Sequence, residues 1–506
     1  MDVKKINEPR QKVLERALIA PELEISRIVT GLWQVADMEK DGTNLDIDIA
    51  SEAMLDYFKA GFTAFDMADH YGSSELIAAQ FLLKLREQTL TTDGLNPKIF
   101  TKWCPKPESM TASVVEAGIE ERLRRLSVDK VDLLQFHWWN YENPEYLNAL
   151  KELEKIRRNG VIENIGLTNF DTDHLRVILD SGISIVTNQV SLSLIDRRAT
   201  GLMTDLCLER NIRILAYGTL CGGFLSDKWI GVPESKMLQI SDWSKMKYGR
   251  FIKSYGGWEK FQVLLHALFE ISQKHGVSVS NVATRWVIEQ PAVGAIIVGA
   301  RLGERQHRES NLSLFSFSLD ADDYANIREA TGNASEIPRD CGSEYRKPPF
   351  LTASGDLSHH LDSVKNVYTK NTSIDDPNRL WVSSNTIWEK TGGFARAVRK
   401  GKNIFVSGTT ATDSQGQKVA KDSVEGQTVF ILDKIVGAVR TLGGSEKDIV
   451  RTRIYITDER YWETIALVHG RYFSDTLPAN TLVVVDKLIG NYVVEIEAEA
   501  VVDDGT

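Results

Sequence analysis

The stretch FDMADHYGSSE, residues 65–75, places Asp66, Asp69, His70 and Tyr71 directly after the apolar run FTAF. A single acid at a strand–helix junction has a plain use as a helix cap. Three ionisable groups and a phenol are more than capping needs. Asp69 and His70 fit loop or capping roles, which leaves Asp66 and Tyr71. Other apolar runs end the same way: KIFTKW carries Lys102, VDLLQFH ends in His137, ENIGLT in Thr168 followed by Asn169, ISIVTNQ in Gln189, and IRILAY in Tyr217. A carboxylate, a phenol, an ammonium and an imidazole brought together could hold and pass a proton. A free phenol, with a pKa near ~10, is a reluctant donor at neutral pH. The Lys102 ammonium is expected to lower that value, Asp66 to hold the ammonium in place, and His137 to donate a hydrogen bond to a bound oxygen.

These residues need elements that bring them to one rim. Between residues 27 and 330, strand-like runs at 27–33, 62–67, 98–103, 131–137, 163–168, 183–189, 212–217 and 294–299 alternate with helix-length amphipathic segments such as 113–126 and 144–160. Eight strands, each followed by a helical stretch, predict an α/β fold of the (β/α)8 TIM-barrel type, where catalytic groups sit at the C-terminal strand ends. A doubly wound sheet is the alternative. It calls for a glycine-rich phosphate loop, and neither GxGxxG nor GxxxxGK[ST] occurs in the chain.

The barrel is expected over residues 1–335, a Gly-, Ser-, Pro- and charge-rich linker over 336–378, and a smaller α+β domain over 379–506. In the last, 394–399 and 404–410 read as a hairpin, 422–443 as a helix, 449–457 as a strand, 459–474 as a helix, and 481–486 and 492–502 as strands. The insertion 227–256 is expected to cover the cofactor or substrate mouth.

The chain of 506 residues is 42% hydrophobic and 26% charged, with a formal charge of −10. That balance argues against a nucleic-acid or anionic-membrane partner. Four dispersed cysteines form no CxxC pair, so neither a metal site nor a disulfide framework is indicated. With no apolar leader at the start and no run long enough to span a bilayer, a cytoplasmic location is expected.

FDMADHYG, KIFTKW, DLLQFHWWN, IGLTNF and ILAYGTLCGGFLS together resemble the aldo-keto reductase signatures in order and spacing, over about residues 25–330. The resemblance implies an NAD(P)H-dependent oxidoreductase acting on a small carbonyl or imine substrate, with the tetrad Asp66, Tyr71, Lys102 and His137. It implies that Thr168, Asn169 and Gln189 hold the nicotinamide carboxamide, that Tyr217 stacks on the ring, and that Gly218 and Leu220 belong to the pyrophosphate loop. Arg301, Arg305, Arg308 and Asn311 fall where the family holds the adenosine end. Three arginines in eight residues suit a 2′-phosphate, so NADPH is expected over NADH. Trp33, Trp138 and Trp139 are expected to wall the substrate pocket.

Residues 380–506 resemble the Rid/YjgF family of reactive-intermediate deaminases through GFARAVRKGKNIFVSGTTATDSQG, VRTRIYITD and LPANTLVVVDKLIGNYVVEIEAEA. This implies a chorismate-mutase-like domain that assembles homotrimers. Deaminating members carry an arginine where Asn480 stands, whereas Glu495 matches their acid. The domain is therefore expected to trimerise or bind ligand rather than hydrolyse imino acids. A cofactor-sensing or scaffolding protein, or a bifunctional reductase and imine deaminase, are the competing readings.

Overall fold

Side chains at eight separate strand ends can meet only if the strands close on one another. In the computed structural model, which describes residues 14–35, 45–88, 95–240, 243–303, 307–346, 368–384 and 387–503, they do. A hairpin of β1 (Arg16–Ala20) and β2 (Leu23–Ser26) precedes β3 (Ile28–Gly31), β4 (Ala64–Asp66), β5 (Lys98–Trp103), β6 (Leu133–Phe136), β7 (Ile165–Thr168), β8 (Thr187–Ser191), β9 (Arg213–Tyr217) and β10 (Val293–Gly299). Strands β3 to β10 pair in parallel in chain order, and β10 closes on β3. Every residue of β4, β6, β7 and β8 is buried. Burial on both faces is what a strand with helices outside and packed side chains inside requires. The hairpin, unforeseen in the sequence, packs Ile19, Leu23 and Ile25 against Val29, Phe100 and Leu215, outside the alternating pattern.

The outer helices have ordinary sequence causes. Glu145–Arg158 buries Tyr146, Leu147, Ala149, Leu150 and Leu153, one face at helical spacing. Ala112–Leu126 begins at Thr111, whose hydroxyl accepts from the Val114 N–H, and Thr172–Asp180 begins at Asp171, which accepts from the His174 N–H.

The second sheet contains β11 (Thr369–Thr372), β12 (Arg379–Ser383), β13 (Ala397–Lys400), β14 (Asn403–Thr409), β15 (Ile449–Ile456), β16 (Ala479–Val484) and β17 (Val494–Val501), in the order β11-β12-β13-β14-β17-β15-β16. Helices Val424–Thr441 and Trp462–Tyr472 cover one face. Helix Val424–Thr441 is buried nearly all round, because its other side packs on the barrel helix Thr172–Asp180. Each fully buried residue such as Ile431 or Ile435 contributes roughly 1.5–3 kcal/mol to that double packing. Polar ties cross the same junction. His174 Nε2 lies 2.9 Å from Asp433, Lys151 donates to Asp413 at 2.8 Å, and Arg471 donates to Asp173 at 2.7 Å.

The stretch 336–378, expected as linker, carries structure at both ends. Ile337 and Cys341 are buried against the barrel, a short helix spans Ser343–Arg346, and β11 begins at Thr369. Strand β11 escapes the hydrophobic pattern because it is an edge strand, largely exposed and polar.

Candidate active site

The strand ends converge as the barrel requires. Lys102 Nζ donates to Asp66 Oδ2 at 2.5 Å and to the Met67 carbonyl at 3.2 Å, and both partners of the ion pair are only 3% exposed. The other Asp66 oxygen accepts from Gln135 Nε2 at 2.7 Å and from Gln189 Nε2 at 2.9 Å. A buried carboxylate with charged and amide donors on both oxygens is fixed in place. Gln189 also donates to Gln135 Oε1 at 2.7 Å. Its two amide hydrogens thus point inward, and its Oε1 has no partner among the described residues.

Tyr71 sits with Lys102 Nζ 5.0 Å from its ring centroid and with the Trp33 ring edge-on at 4.9 Å. The expectation that Lys102 lowers the phenol pKa is corrected here. Burial and then the charge of Asp66 push it well above its ordinary value. Burial comes first: with little water to solvate a phenolate, the neutral phenol is favoured, and the nearby Asp66 carboxylate adds to the effect. Tyr71 is therefore a neutral phenol at physiological pH. His137, 3% exposed, lies 4.3 Å from the Trp139 ring between centroids. Asp69 and His70 brace the loop: His70 Nδ1 lies 2.8 Å from Asp69 Oδ1, and the Cys104 N–H donates to Asp69 Oδ2 at 2.8 Å.

These groups open into a cavity of about 940 Å³. Asp66, Tyr71, Lys102, His137, Trp33 and Trp139 line it, as do Thr168, Asn169, Gln189, Tyr217, Gly218 and Leu220 and also Arg301 and Asn311. Thr168 Oγ1 donates to the Gln189 carbonyl at 3.2 Å, and the Tyr217 hydroxyl donates to Asn169 Oδ1 at 2.7 Å. After β9, Gly218, Gly222 and Gly223 all have positive φ. A Cβ on Gly218 would stand 2.3 Å from the Tyr248 hydroxyl, so the loop must be glycine for the insertion helix Trp243–Tyr255 to lie on it. The insertion thus lines the cavity through Ser244, Lys247 and Tyr248.

Two expected residues lie elsewhere. Trp138 is fully buried and donates Nε1 to the carbonyls of Asn140 and Asn143, so it braces the loop after β6 rather than walling the cavity. Arg308 forms an ion pair with Asp56 at 3.1 Å, away from the cavity lining. Arg305 lies outside the described residues.

Three participants carry weaker sequence signals. Gln135 stands two residues before His137, with the same strand parity, and that spacing could have identified it. Lys247 sits in an insertion without a motif. Tyr345 comes from the expected linker, yet its hydroxyl lies 2.7 Å from Lys247 Nζ and 3.2 Å from the Tyr217 hydroxyl. Its segment is anchored on both sides. Glu344, fully buried, pairs with Arg198 at 2.8 Å, and Arg346 donates to the carbonyls of Trp138 and Asn169, both at 2.6 Å.

In the second domain, Asn480 and Glu495 do not share a face of the sheet. Asn480 donates to Thr452 Oγ1 at 2.9 Å, and that hydroxyl lies 2.9 Å from His469 of the covering helix. Glu495 pairs in register with Tyr455, three residues further along β15, and so projects from the opposite face. Burial raises the Glu495 carboxyl against the pull of Arg396, which donates to Thr409 Oγ1 at 2.8 Å and to the Gly408 carbonyl at 3.1 Å.

Comparison with known proteins agrees with this division. The model of the Aldo/keto reductase family matches residues 27–331, and that of Endoribonuclease L-PSP matches residues 385–502. Aldo-keto reductase YhdN of Bacillus subtilis is 26% identical over 345 residues, covering 65% of this chain and 96% of that protein. The NADH-specific methylglyoxal reductase of Escherichia coli is 25% identical over 326 residues, covering 61% and 95%. Flagellar radial spoke protein 5 of Chlamydomonas reinhardtii is 30% identical over 179 residues, 32% of this chain, and only 34% of that protein's length is spanned. The solved glycerol dehydrogenase from Gluconobacter oxydans shares the fold, with a TM-score of 0.52 and 21% identity over 64% of this chain and 97% of that one. The chain belongs to the aldo/keto reductase family and is an oxidoreductase, a (β/α)8 barrel joined to an Endoribonuclease L-PSP domain of the Rid/YjgF type.

Proposed function

We propose that the barrel reduces an aldehyde, ketone or related C=N group at the expense of NADPH, with Tyr71 as proton donor. One observation carries this reading: the Asp66–Lys102 ion pair, held by Gln135 and Gln189, lies beside Tyr71 in a cavity that His137 also lines. A donor must hold its proton until the carbonyl oxygen develops charge, and burial keeps the phenol protonated. Once the proton leaves, the phenolate is stabilised by the ammonium 5.0 Å from its ring. His137 is assigned the orientation of the carbonyl oxygen.

The residues present fit a nicotinamide cofactor. Gln189 Oε1, unpartnered among the described residues and lining the cavity, is an acceptor for a carboxamide N–H, with Thr168 and Asn169 beside it. When bound, the reduced nicotinamide supplies the hydride. Tyr217 is assigned the ring face, the glycine loop at 218–223 the pyrophosphate, and Asn311 the adenine end. The preference for NADPH over NADH rests on Arg301, which lines the cavity, and on Arg305; Arg308 supports it less because Asp56 holds it. The experiment is consumption of NADPH and of NADH by the full chain with aldehydes, ketones and cyclic imines. Turnover favouring NADPH is expected; no turnover with any of them would favour the cofactor-sensing reading.

The second domain is read as a trimerisation module without imine hydrolysis of its own. The sheet face opposite its helices exposes Phe405 and Val501 beside Arg453, which pairs with Glu497 and Glu499. A second copy would cover that face. A cytoplasmic location is favoured by four free, buried cysteines, and none of the described helices is long and apolar enough to cross a membrane.

A further inference from the structure

Two ammonium groups stand near the strand ends that carry the chemistry, and only one is neutralised. Asp66 holds Lys102. Lys247, from the insertion helix, has one hydrogen-bond partner among the described residues, the Tyr345 hydroxyl at 2.7 Å, and no carboxylate there within ion-pair distance. Three tyrosine rings surround its Nζ, with the centroids of Tyr345, Tyr217 and Tyr248 at 4.7, 5.3 and 5.6 Å. Glu344, the acid that acts on it through space, is itself bonded to Arg198. An ammonium has three donors. One is used, and Lys247 lines the cavity. Burial disfavours its charge, while the Tyr345 oxygen that accepts from it, the three ring faces and the nearby Glu344 carboxylate favour it.

Its placement ties it to the reacting end. The Tyr345 ring lies 5.7 Å from that of His137 and 5.6 Å from that of Trp139, centroid to centroid. Lys247 and Tyr345 therefore stand on the wall adjoining the imidazole. We infer that Lys247, positioned by the Tyr345 hydroxyl, binds an oxyanion on the substrate, so that the preferred carbonyl compounds carry a carboxylate. The inference deepens the reductase reading and rests on it.

The test compares 4-oxobutanoate with butanal, aldehydes of one chain length that differ in the terminal carboxylate. In Lys247→Met, the ratio of kcat/KM for the acid to that for the neutral aldehyde should fall about 10- to 100-fold, the size of one charge-assisted contact. Tyr345→Phe should lower the same ratio less, about 3- to 10-fold, because the ammonium stays but loses its anchor. An unchanged ratio in both variants would overturn the inference. So would a loss of NADPH affinity by the same factor, which would assign the ammonium to a cofactor phosphate. Butanoate binding, followed by quenching of tryptophan fluorescence, separates this claim from the one beneath it. If neither aldehyde is reduced yet butanoate binds in a Lys247-dependent way, the reductase reading fails and the oxyanion site stands. If butanoate binds the Lys247→Met variant as well as the parent, the site is refuted whatever the turnover.

Discussion

Asp66 and Lys102 depend on each other. Among the described residues each is the other's only opposite charge in hydrogen-bond contact, and both are buried. Removing one partner leaves an uncompensated buried charge, which typically costs about 3–5 kcal/mol. Lys102→Met should therefore both lower turnover and lower the midpoint of urea unfolding. Asp66→Asn should also lower the midpoint, because it leaves the Lys102 ammonium without a counter-charge and turns an amide donor toward either that ammonium or Gln135 and Gln189. A Lys102→Met variant of unchanged stability would show that the pair is not closed as described. These charged positions were legible in the sequence because a barrel turns the last residues of each strand toward one rim. Gln135 was overlooked although its parity matches His137, since a glutamine inside a strand carries no chemical flag. The direction of the Tyr71 shift was not legible either, because it depends on how deeply the fold buries the phenol.

At the scale of elements, the segment Ser343–Arg346 acts as part of the barrel mouth. Arg198 is 3% exposed and held by Asp196 at 2.7 Å as well as by Glu344. Glu344→Gln should destabilise the folded barrel by roughly 1.5–3 kcal/mol, the size of one charge-assisted hydrogen bond since Asp196 still pairs Arg198, and raise KM by loosening Tyr345. Thermal unfolding and substrate kinetics check it together; a change in neither would mean that the segment is merely laid on the surface. A barrel truncated for study must retain residues through Arg346, because a cut near residue 335 removes Tyr345. On the cofactor side, Arg301→Ala should weaken NADPH far more than NADH in direct binding titrations, and equal weakening would assign Arg301 to another role. The alternation of strands and helices was readable from hydrophobic periodicity. This segment was not, because its charged residues look like a solvated linker until the barrel rim that satisfies them is in place.

For the whole molecule, the junction between the domains centres on His174. Burial disfavours a charged imidazole there, but Asp171 and Asp433 outweigh it and lift the ring to about 10. Burial opposes the Asp171 carboxylate, but the His174 ring outweighs it and holds Asp171 below the ordinary range, whereas burial raises Asp433 against the pull of the same ring. A histidine whose pKa is raised on folding gives stability that is complete below its unfolded value, near ~6.5, and is lost as pH rises through the folded value. The domain junction should therefore weaken between about pH 6.5 and 10, and His174→Gln should flatten that dependence in thermal unfolding. A dependence unchanged by the substitution would remove His174 from the junction. The trimer is tested by light scattering on the full chain, where a monomer would contradict it.

The central claim is that Tyr71 gives the proton. The measurement that tests it most directly compares Tyr71→Phe with the parent protein for NADPH affinity, by equilibrium titration, and for turnover of a reducible aldehyde. Tyr71→Phe keeps the ring against Trp33 and removes only the hydroxyl. The account requires unchanged cofactor affinity with turnover lowered by several orders of magnitude. Near-normal turnover by the phenylalanine variant would contradict it.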